Sequence, residues 1–511
     1  MHPRTHFKSR PDHAAIVMAA DGQVITYAEL ECRANQGAHF LRSLGLCAGD
    51  ALAVLIDNSV EFLQIYWAAQ RCGLYFTPIS TRCSPGDAAY IVKDCGARVL
   101  LLSANVGESA TTLASQRENI LPGVQLLSVG QGIPELDEWG FGVSQMPITA
   151  IADESAGTHM VYSSGTTGRP KGIKLPLSGG PAFAAHPYSD RHRQTYGVGE
   201  HTVYLSPAPL YHTAPLVFST IVQRLGGTVV IMDRFDPEAW LDAIQRYRIS
   251  FSQMVPTMFV RLLKLDEGVR MRYDLSSLEM VVHAAAPCPV PVKAQMLQWL
   301  GPIIAEYYGG SEANGGTFIT PAEWLRKPGS VGKPNWGAVH IVGEDGDELA
   351  PGETGLVYFE GGLDFKYHND PQKTAEARHP VHTSWTTLGD IGHVDEDGYL
   401  FLTDRKAFTI ISGGVNIYPQ EIENLLVSDP RVADAAVIGI PSRDLGEEVK
   451  AIVQPADWSQ AGPDLARQLL TLCRDKLSLY KCPRSIDFNP ALPRGDNGKL
   501  YKKELRDSYW T

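Results

Sequence analysis

The stretch YSSGTTGRPKG at residues 162–172 combines three glycines, two serines and two threonines with a lysine and almost no apolar side chain. Gly165 and Gly168 tolerate positive φ, so backbone N–H groups can turn toward a ligand. Such N–H groups, together with hydroxyls, form a concave site for phosphate oxygens, and Lys171 adds a positive charge. The stretch predicts a phosphate-binding loop, with a flexible surface loop as the alternative.

Composition and charge exclude several classes of protein. The chain has 511 residues, of which 44% are hydrophobic and 20% charged, as in soluble globular proteins. Its net charge of −12 argues against nucleic acid as a partner. No apolar run is long enough for a transmembrane segment, and the polar start MHPRTHFKSRPDH has no signal-type apolar region. We therefore expect a cytoplasmic protein. A homodimer stays open, because dimers are common.

The eight cysteines carry no metal or redox pattern. They are scattered along the chain, and no CxxC pair occurs. We expect reduced thiols without a zinc or thioredoxin-type role.

Apolar patterns along the chain alternate between two periods. Helix-like patterns occur at residues 27–45 and 59–73, and strand-like runs at 51–57, 74–80, 97–103 and 226–232. Continuous apolar runs of this length are typical of buried parallel strands. The alternation predicts an α/β fold.

A shorter unit is predicted after Arg405. Residues 393–405 are typical of a hairpin that turns at Asp395–Gly398. After it, helices are predicted at 419–429 and 464–477 and strands at 434–441 and 449–455. We expect an α/β N-terminal domain at residues 1–404 and a small α+β C-terminal domain at 405–511.

The first stretch has neither the G-x-x-x-x-G-K-[ST] spacing nor a G-x-G-x-x-G unit. Instead, it resembles the signature loop of the AMP-forming adenylate family, which includes acyl-CoA synthetases, luciferase and peptide-synthetase adenylation domains. Further motifs similar to that family follow in order: SPAPLYHTAP (206–215), AAAPCP (284–289), YYGGSE (307–312), residues 386–423 and LPRGDNGKLYKKEL (492–505). The resemblance covers nearly the whole chain, and it implies a large N-terminal domain followed by a small mobile C-terminal domain.

The resemblance implies a reaction in two halves. A carboxylate attacks the α-phosphorus of ATP, which gives acyl-adenylate and pyrophosphate. The thiol of CoA then displaces AMP. Because the first attack joins two anions, the site must neutralise charge and hold the reactants in line.

The nucleotide-binding residues follow from the matched motifs. The resemblance assigns the phosphates of ATP to Ser163, Ser164, Gly165, Thr166, Thr167, Gly168 and Lys171. It assigns the rest of the nucleotide to Ala285, Ala286, Pro287, Tyr307, Tyr308, Gly309, Ser311, Asp390 and Arg405. Tyr308 would stack on adenine and Asp390 would accept hydrogen bonds from the ribose. Glu312 and Thr167 would hold Mg²⁺. A core aromatic role for Tyr308 and a structural ion pair for Arg405 are the alternatives.

The resemblance also implies the catalytic and moving parts. Lys499 would bridge the attacking carboxylate and the α-phosphate, with Lys502 and Lys503 facing solvent. His212 would orient the acid or gate the thiol entrance. The hinge would be Arg405, Lys406 and Ala407, and the loop delivered to the thiol would be Ser412, Gly413 and Gly414. Ala407 departs from the Asp or Lys common at the hinge, and His283 from a usual small residue.

The acid is expected to be hydrophobic. Several stretches are similar to fatty-acyl, bile-acid and steroid-side-chain CoA ligases, while aryl acids such as cinnamates and benzoates stay open. The acyl pocket would include His212, His283, Gly309 and Gly310, although such glycines can also serve close backbone approach. A carrier-protein thiol or an amine as acceptor, and a disabled ATP-binding protein, are the other hypotheses.

Overall fold

A computed structural model of the chain describes residues 2–163, 169–184, 187–495 and 498–510. In this part of the chain the helices are α1 Pro3–Ser9, α2 Tyr27–Ser43, α3 Val60–Arg71, α4 Pro85–Asp94, α5 Glu108–Ser115, α6 Arg117–Ile120, α7 Trp139–Ser144, α8 Pro187–Tyr196, α9 Thr213–Arg224, α10 Pro237–Tyr247, α11 Pro256–Leu263, α12 Glu267–Arg270, α13 Val290–Leu300, α14 Pro321–Arg326, α15 Pro371–Glu376, α16 Pro419–Val427, α17 Pro463–Lys476 and α18 Lys502–Asp507.

The strands are β1 Ala14–Met18, β2 Val24–Thr26, β3 Ala51–Leu55, β4 Tyr75–Pro78, β5 Val99–Ser103, β6 Gln125–Val129, β7 Asp137–Glu138, β8 Thr158–Ser163, β9 Lys171–Lys174, β10 Val203–Ser206, β11 Thr228–Ile231, β12 Phe251–Met254, β13 Met280–His283, β14 Ile304–Gly309, β15 Gly316–Ile319, β16 Lys333–Trp336, β17 Ala338–Val342, β18 Gly355–Glu360, β19 Lys366–Tyr367, β20 Thr386–Val394, β21 Leu400–Arg405, β22 Ile410–Ser412, β23 Val415–Ile417, β24 Val432–Ser442, β25 Gly446–Pro455 and β26 Ser485–Phe488.

The chain divides into two compact units that are each discontinuous in sequence. The first contains the residues up to 254 together with 265–281 and 363–375. The second contains residues 255–264 and 282–362 and those from 376 onward.

The first unit contains an eight-stranded sheet in the order β19-β9-β8-β4-β3-β5-β6-β7. Strands β3, β4, β5, β6 and β8 pair in parallel, and β9 returns antiparallel to β8. Every residue of β3 and β5 is buried, which explains their continuous apolar runs. The same unit holds neighbouring strands in the order β12-β10-β11-β1-β2.

Helix α2 shows how the sequence fixes an element boundary in this unit. Thr26 accepts a hydrogen bond from the Glu29 N–H, and the Glu29 carboxylate accepts one from the Thr26 N–H, a capping box. The helix then buries Leu30, Ala34, Ala38 and Leu41 on one face. The predicted apolar spacing of residues 27–45 is confirmed.

The second unit contains three groups of strands. Strands β14, β15 and β16 pair antiparallel, and a four-stranded sheet has the order β17-β18-β20-β21. The C-terminal group has the order β23-β22-β25-β24, with β26 parallel to β25. Helices α16 and α17 contribute Ile422, Leu426, Leu465 and Leu469 to its core. The predicted hairpin at 393–405 and the predicted α+β elements after it are confirmed.

Two further predictions concern the cysteines and membrane-spanning segments. All eight cysteines are free thiols, as predicted. Among the described residues, no helix has the length and apolar character needed to cross a membrane.

Candidate functional site

The predicted phosphate loop is the connection of the β8–β9 hairpin in the first unit. Ser163 and Lys171 lie opposite each other where the strands end. The predicted ligands Ser164, Gly165, Thr166, Thr167 and Gly168 lie outside the described residues. The structure therefore describes the base of the loop. Ser163, which carries a hydroxyl, lies where the loop begins, and Lys171, which carries an ammonium group, lies where it ends.

Asp94 anchors this base from the end of α4. Its carboxylate accepts a hydrogen bond from Tyr162 Oη at 2.6 Å, one residue before Ser163. Its backbone carbonyl accepts from His368 Nε2 at 2.9 Å and Asn369 Nδ2 at 3.1 Å. Sequence analysis missed Asp94, because a single carboxylate at a helix end carries no pattern.

The Tyr211–His212 pair lies at the start of α9, also in the first unit. Their rings are 4.6 Å apart, and His212 is the N-cap residue of the helix. The approach to this pair is fixed by Asn58, whose side chain accepts from the Leu210 N–H at 2.8 Å and donates to the Ala208 carbonyl at 3.2 Å. A buried amide thus holds the histidine-bearing turn in place.

In the second unit, the segment Ala284–Pro289 connects β13 to α13. Ala285 in this segment is exposed and has φ of 75°, a left-handed conformation that is unfavourable for a residue with a Cβ. Strain of this kind persists only where the surrounding structure fixes it, and it clusters at ligand sites. The predicted adenine segment therefore has a strained backbone.

Tyr308, Asp390 and Arg405 form one hydrogen-bonded group in the second unit. Tyr308 Oη donates to Asp390 Oδ2 at 2.5 Å, and Arg405 Nε donates to Asp390 Oδ1 at 3.1 Å. The Asp390 carboxylate raises the pKa of Arg405, while burial and then Asp390 hold the pKa of Tyr308 well above its usual value. The three predicted residues come together, and Asp390 is the acceptor that joins them.

Lys499 belongs to the same electrostatic group. Burial and the nearby Arg405 lower the pKa of Lys499 to about 8, although Glu312 and Asp390 act in the opposite direction. Glu312 is itself buried. The second unit therefore brings together two cations and two carboxylates that the sequence predicts to act on one nucleotide.

The turn before Lys499 is held by Arg494. Its guanidinium contacts both carboxylate oxygens of Asp434 in β24, at 2.5 and 2.7 Å, and donates to the Gly498 carbonyl at 2.7 Å. Gly498 has φ of 74°, and a Cβ there would lie 2.8 Å from Thr257 Oγ1. Asp496 and Asn497 of this turn lie outside the described residues.

One prediction about the neighbouring lysines is wrong. Lys502 does not face solvent: it is 7% exposed, and its Nζ lies 2.7 Å from Glu423 Oε1. Helix α18 begins at this residue, and its partner Glu423 lies in α16. The basic run GKLYKKELR gives no sign of this burial. Lys503 is exposed, as predicted.

The glycines of YYGGSE serve close packing. A Cβ at Gly310 would lie 2.3 Å from Leu388 Cδ1, and one at Gly309 would lie 3.2 Å from the Gly315 carbonyl. Gly309 therefore fits the alternative of close backbone approach, and the Leu388 side chain leaves no room for a roomy pocket at Gly310. His283 is fully buried and packs edge-on against Phe259, with ring centroids 5.2 Å apart.

The predicted thiol-delivery loop is a tight turn. Ser412 pairs with Val415, and Gly413 and Gly414 have φ of 58° and 79° between them. Two consecutive positive φ values are typical of a type I′ hairpin, which favours Gly-Gly. The predicted hinge begins at Arg405, and Lys406–Phe408 form a short 3₁₀ helix.

Comparison with known proteins assigns the family. Residues 4–366 match the family described as AMP-binding enzyme, and residues 421–499 match the AMP-binding enzyme C-terminal domain. The chain is a member of the AMP-binding enzyme family. The predictions of an α/β adenylate-forming fold and of AMP-forming acid–thiol ligase chemistry are confirmed with it.

Relatives of this AMP-binding enzyme match along almost their full lengths. A feruloyl-CoA synthase of an Amycolatopsis species is 32% identical over 98% of this chain and 97% of its own length. The long-chain-fatty-acid–CoA ligase FadD13 of Mycobacterium tuberculosis is 29% identical over 95% of this chain and 93% of its own length. The structure of ATP-bound MatB from Rhodopseudomonas palustris aligns with a TM-score of 0.85 at 27% identity, covering 100% of this chain and 99% of MatB.

Proposed function

We propose that this enzyme activates a hydrophobic carboxylic acid with ATP and transfers the acyl group to CoA. The observation that carries the proposal is the group in the second unit, where Tyr308 and Arg405 share the Asp390 carboxylate beside Lys499 and Glu312. This group offers an aromatic face, paired acceptors for a ribose and a cation for an anionic transition state.

Adenylation needs the positive charge of Lys499. A carboxylate oxygen of the acid forms a bond to the α-phosphorus of ATP, and the bond to pyrophosphate breaks. Both reactants are anions. An ammonium group between them stabilises the transition state more than it stabilises either separate reactant, and it therefore lowers the barrier. In the second half, the sulfur of CoA attacks the acyl carbon, AMP leaves with the electron pair, and the thiol proton passes to solvent.

Mg²⁺ is proposed to be held by Glu312 and Thr167. Glu312 fits a hard cation, because it supplies carboxylate oxygens. It is buried and lies near the cations Arg405 and Lys499. Its negative charge would offset the repulsion between these cations and Mg²⁺. When bound, Mg²⁺ would neutralise phosphate charge on ATP.

Two conformations are proposed to serve the two half-reactions. The boundary would separate a domain at residues 1–404 from one at 405–511, with the hinge at Arg405, Lys406 and Ala407. The tight turn at Ser412–Gly414 would then take the place of Lys499 near the acyl-adenylate. Reorganisation of this kind is a common rate-limiting event in catalysis.

For the acid, the proposal is a hydrophobic fatty or aryl compound. It is supported by the feruloyl-CoA synthase and the fatty-acid ligase among the relatives, whose acids are aromatic and aliphatic respectively. A different acceptor, such as a carrier-protein thiol or an amine, is the second candidate. The cytoplasmic location and the homodimer stay predictions from the sequence.

The decisive experiment measures AMP release from ATP and Mg²⁺ with a panel of fatty, steroid-side-chain and aryl acids, with and without CoA. Turnover that requires CoA and one class of acid is the expected result. Steady AMP release without CoA, or none with any acid, would contradict the proposal.

A variant separates the two halves. Lys499→Ala is expected to slow adenylation by about 10²–10³-fold, the cost of one charge-stabilising group, while thioester formation from supplied acyl-adenylate continues. Pyrophosphate exchange and CoA consumption measure the halves separately. An equal loss in both would remove Lys499 from its proposed role.

A further inference from the structure

The second unit contains a group of buried titratable residues that the proposed reaction does not use. His283 ends β13, Lys293 lies in α13 and Glu306 lies in β14. His283 and Lys293 have no exposed surface, and Glu306 is 6% exposed. Charged residues are rarely buried to this extent unless they are paired.

One carboxylate oxygen joins the three. Lys293 Nζ donates to Glu306 Oε2 at 2.6 Å, and His283 Nε2 lies 3.4 Å from the same oxygen. Lys293 Nζ also lies 4.9 Å from the centre of the buried Trp324 ring. Among the described residues, neither ring nitrogen of His283 has a hydrogen-bond partner. Burial and the neighbouring Lys293 hold the pKa of His283 well below its usual value, so its ring is neutral.

The positions of the three residues in the chain connect the group to the predicted adenine segment and to Tyr308. His283 directly precedes the strained segment Ala284–Pro289, and Lys293 lies in the first turns of the helix that follows it. Glu306 lies two residues before Tyr308 in β14, so both side chains project from one face of that strand. Lys293 therefore ties the helix end of the predicted adenine segment to the strand that carries Tyr308, and His283 packs beside the same carboxylate at the other end.

We propose that Lys293, Glu306 and His283 are positioning residues that set the separation between segment 284–289 and Tyr308, and thereby the affinity for the adenine nucleotide. This rests on the proposed function, in which those two elements bind adenine. Lys293 and Glu306, the charged pair of this positioning group, have no assigned contact with the acid or with CoA, so a change in the pair is expected to act on nucleotide binding.

Energetics argue against stability as the reason for this charge pair. Removing two charges from water costs several kcal/mol per ion, and well-packed apolar residues at such a site are often equally stable or more so. What a buried pair adds is geometry, because the short bond between Lys293 and Glu306 fixes helix and strand in one relative position. The strain at Ala285 between the two anchored ends is consistent with this constraint.

The test compares two matched double variants. Lys293→Met/Glu306→Gln removes both charges of the positioning group with nearly unchanged volume. Lys502→Met/Glu423→Gln does the same to another buried lysine–glutamate pair, whose 2.7 Å bond and burial are similar. Thermal unfolding checks that each is folded, and titration with AMP alone measures nucleotide affinity.

We expect the first variant to bind AMP at least about tenfold more weakly and to raise KM for ATP with KM for the acid unchanged. The second variant is expected to bind AMP like the wild type. Lys293→Arg, which keeps the charge, is expected to retain most of the affinity. Inhibition by tripolyphosphate, which lacks adenine, is expected to be equal in all of them.

Two results would overturn the inference. One is a folded first variant with wild-type AMP affinity, which would leave the pair with a purely structural role. The other is a change in acid preference without a change in AMP affinity. A wild-type protein that binds no AMP and releases none from ATP with any acid would instead contradict the proposed function.

Discussion

Lys499 is a single residue whose chemistry is set by its neighbours. A lysine in water stays protonated well above pH 8, but burial and Arg405 lower the pKa of Lys499 to about 8. The proton is therefore lost within the range in which the enzyme can be assayed. If the charged form is needed, adenylation must weaken as the pH rises through this value.

The pH dependence of adenylation tests this. We expect kcat/KM for ATP, which reports the free enzyme, to fall as pH rises above about 8. Lys499→Arg is the control, since a guanidinium stays protonated throughout. It is expected to be slower but without the fall. A wild-type profile that is level across this range would contradict the role of the charge.

The strained Ala285 gives a second prediction for a single residue. Glycine adopts positive φ without strain, so Ala285→Gly removes roughly 1 kcal/mol of strain. The glycine variant also has more conformational entropy in the unfolded state, which lowers its stability by roughly 0.5–1 kcal/mol. The free energy of unfolding is therefore expected to change little. The looser segment is expected to raise KM for ATP several-fold, with kcat less affected.

Steady-state kinetics and thermal unfolding of Ala285→Gly measure both effects. Glu135→Gly is the matched control, because Glu135 has φ of 76° and is exposed outside the candidate site. It is expected to leave KM unchanged. An unchanged KM in Ala285→Gly would mean that the strain has no part in nucleotide binding.

Single residues also show what the sequence could and could not predict. The meeting of Asp390 and Arg405 beside Lys499 was predictable, because each lies in a motif of fixed residue types, while their roles in the reaction stay predictions. The Lys293–Glu306 pair was not, because its partners are 13 residues apart and meet only when α13 packs on β14. Burial of Lys502 was mispredicted for the same reason, since a basic run gives no sign of which lysine turns inward.

The turn before Lys499 is held by an ion pair between two elements. Asp434 in β24 holds Arg494 through two hydrogen bonds, and Arg494 holds the Gly498 carbonyl next to Lys499. A bidentate contact fixes orientation as well as distance. The turn that carries Lys499 is thus held by a strand far from it in sequence.

Asp434→Asn is expected to weaken this contact, at a cost of roughly 1–3 kcal/mol to the turn. Pyrophosphate exchange is expected to fall about tenfold or more, which corresponds to about 1.4 kcal/mol in the barrier. Thioester formation from supplied acyl-adenylate is expected to continue.

Asp429→Asn is the control for this element. Arg431 binds Asp429 through two side-chain hydrogen bonds of 2.9 and 2.7 Å, and its remaining guanidinium nitrogen donates to Gln468 in α17. Its loss is expected to leave both half-reactions near the wild-type rate. Equal effects of the two variants would show that general destabilisation, not lysine placement, explains the result.

For the molecule as a whole, the proposed exchange between two conformations depends on backbone freedom near Ala407. Proline at 407 fixes its own φ and disfavours helical values at Lys406. Ala407→Pro is expected to slow CoA-dependent turnover about tenfold, or about 1.4 kcal/mol, and pyrophosphate exchange less. Ala407→Gly is expected to retain both, and equal losses in Ala407→Pro would count against a hinge here.

The α/β class and the small C-terminal α+β group were predictable, because apolar period and run length depend on neighbouring residues only. The division into compact units was not. Residues 255–264 and 363–375 each belong to a unit other than that of the residues before them. Such exchanges depend on packing between distant segments, which the local patterns at these residues do not encode.

The position of β1 has a consequence for how the protein is made. This strand lies beside β11, and Thr228 Oγ1 donates to the Ala14 carbonyl across 214 residues. Its other edge pairs with β2, which follows closely in sequence. A ribosome adds roughly 5–20 residues per second, so the edge that faces β11 waits roughly 10–40 s before β11 exists. During that time the edge of the apolar segment AAIVM that pairs with β11 stays open on the nascent chain. The β1–β11 pairing is therefore among the later ones to form, and chaperones have this apolar edge to protect until then.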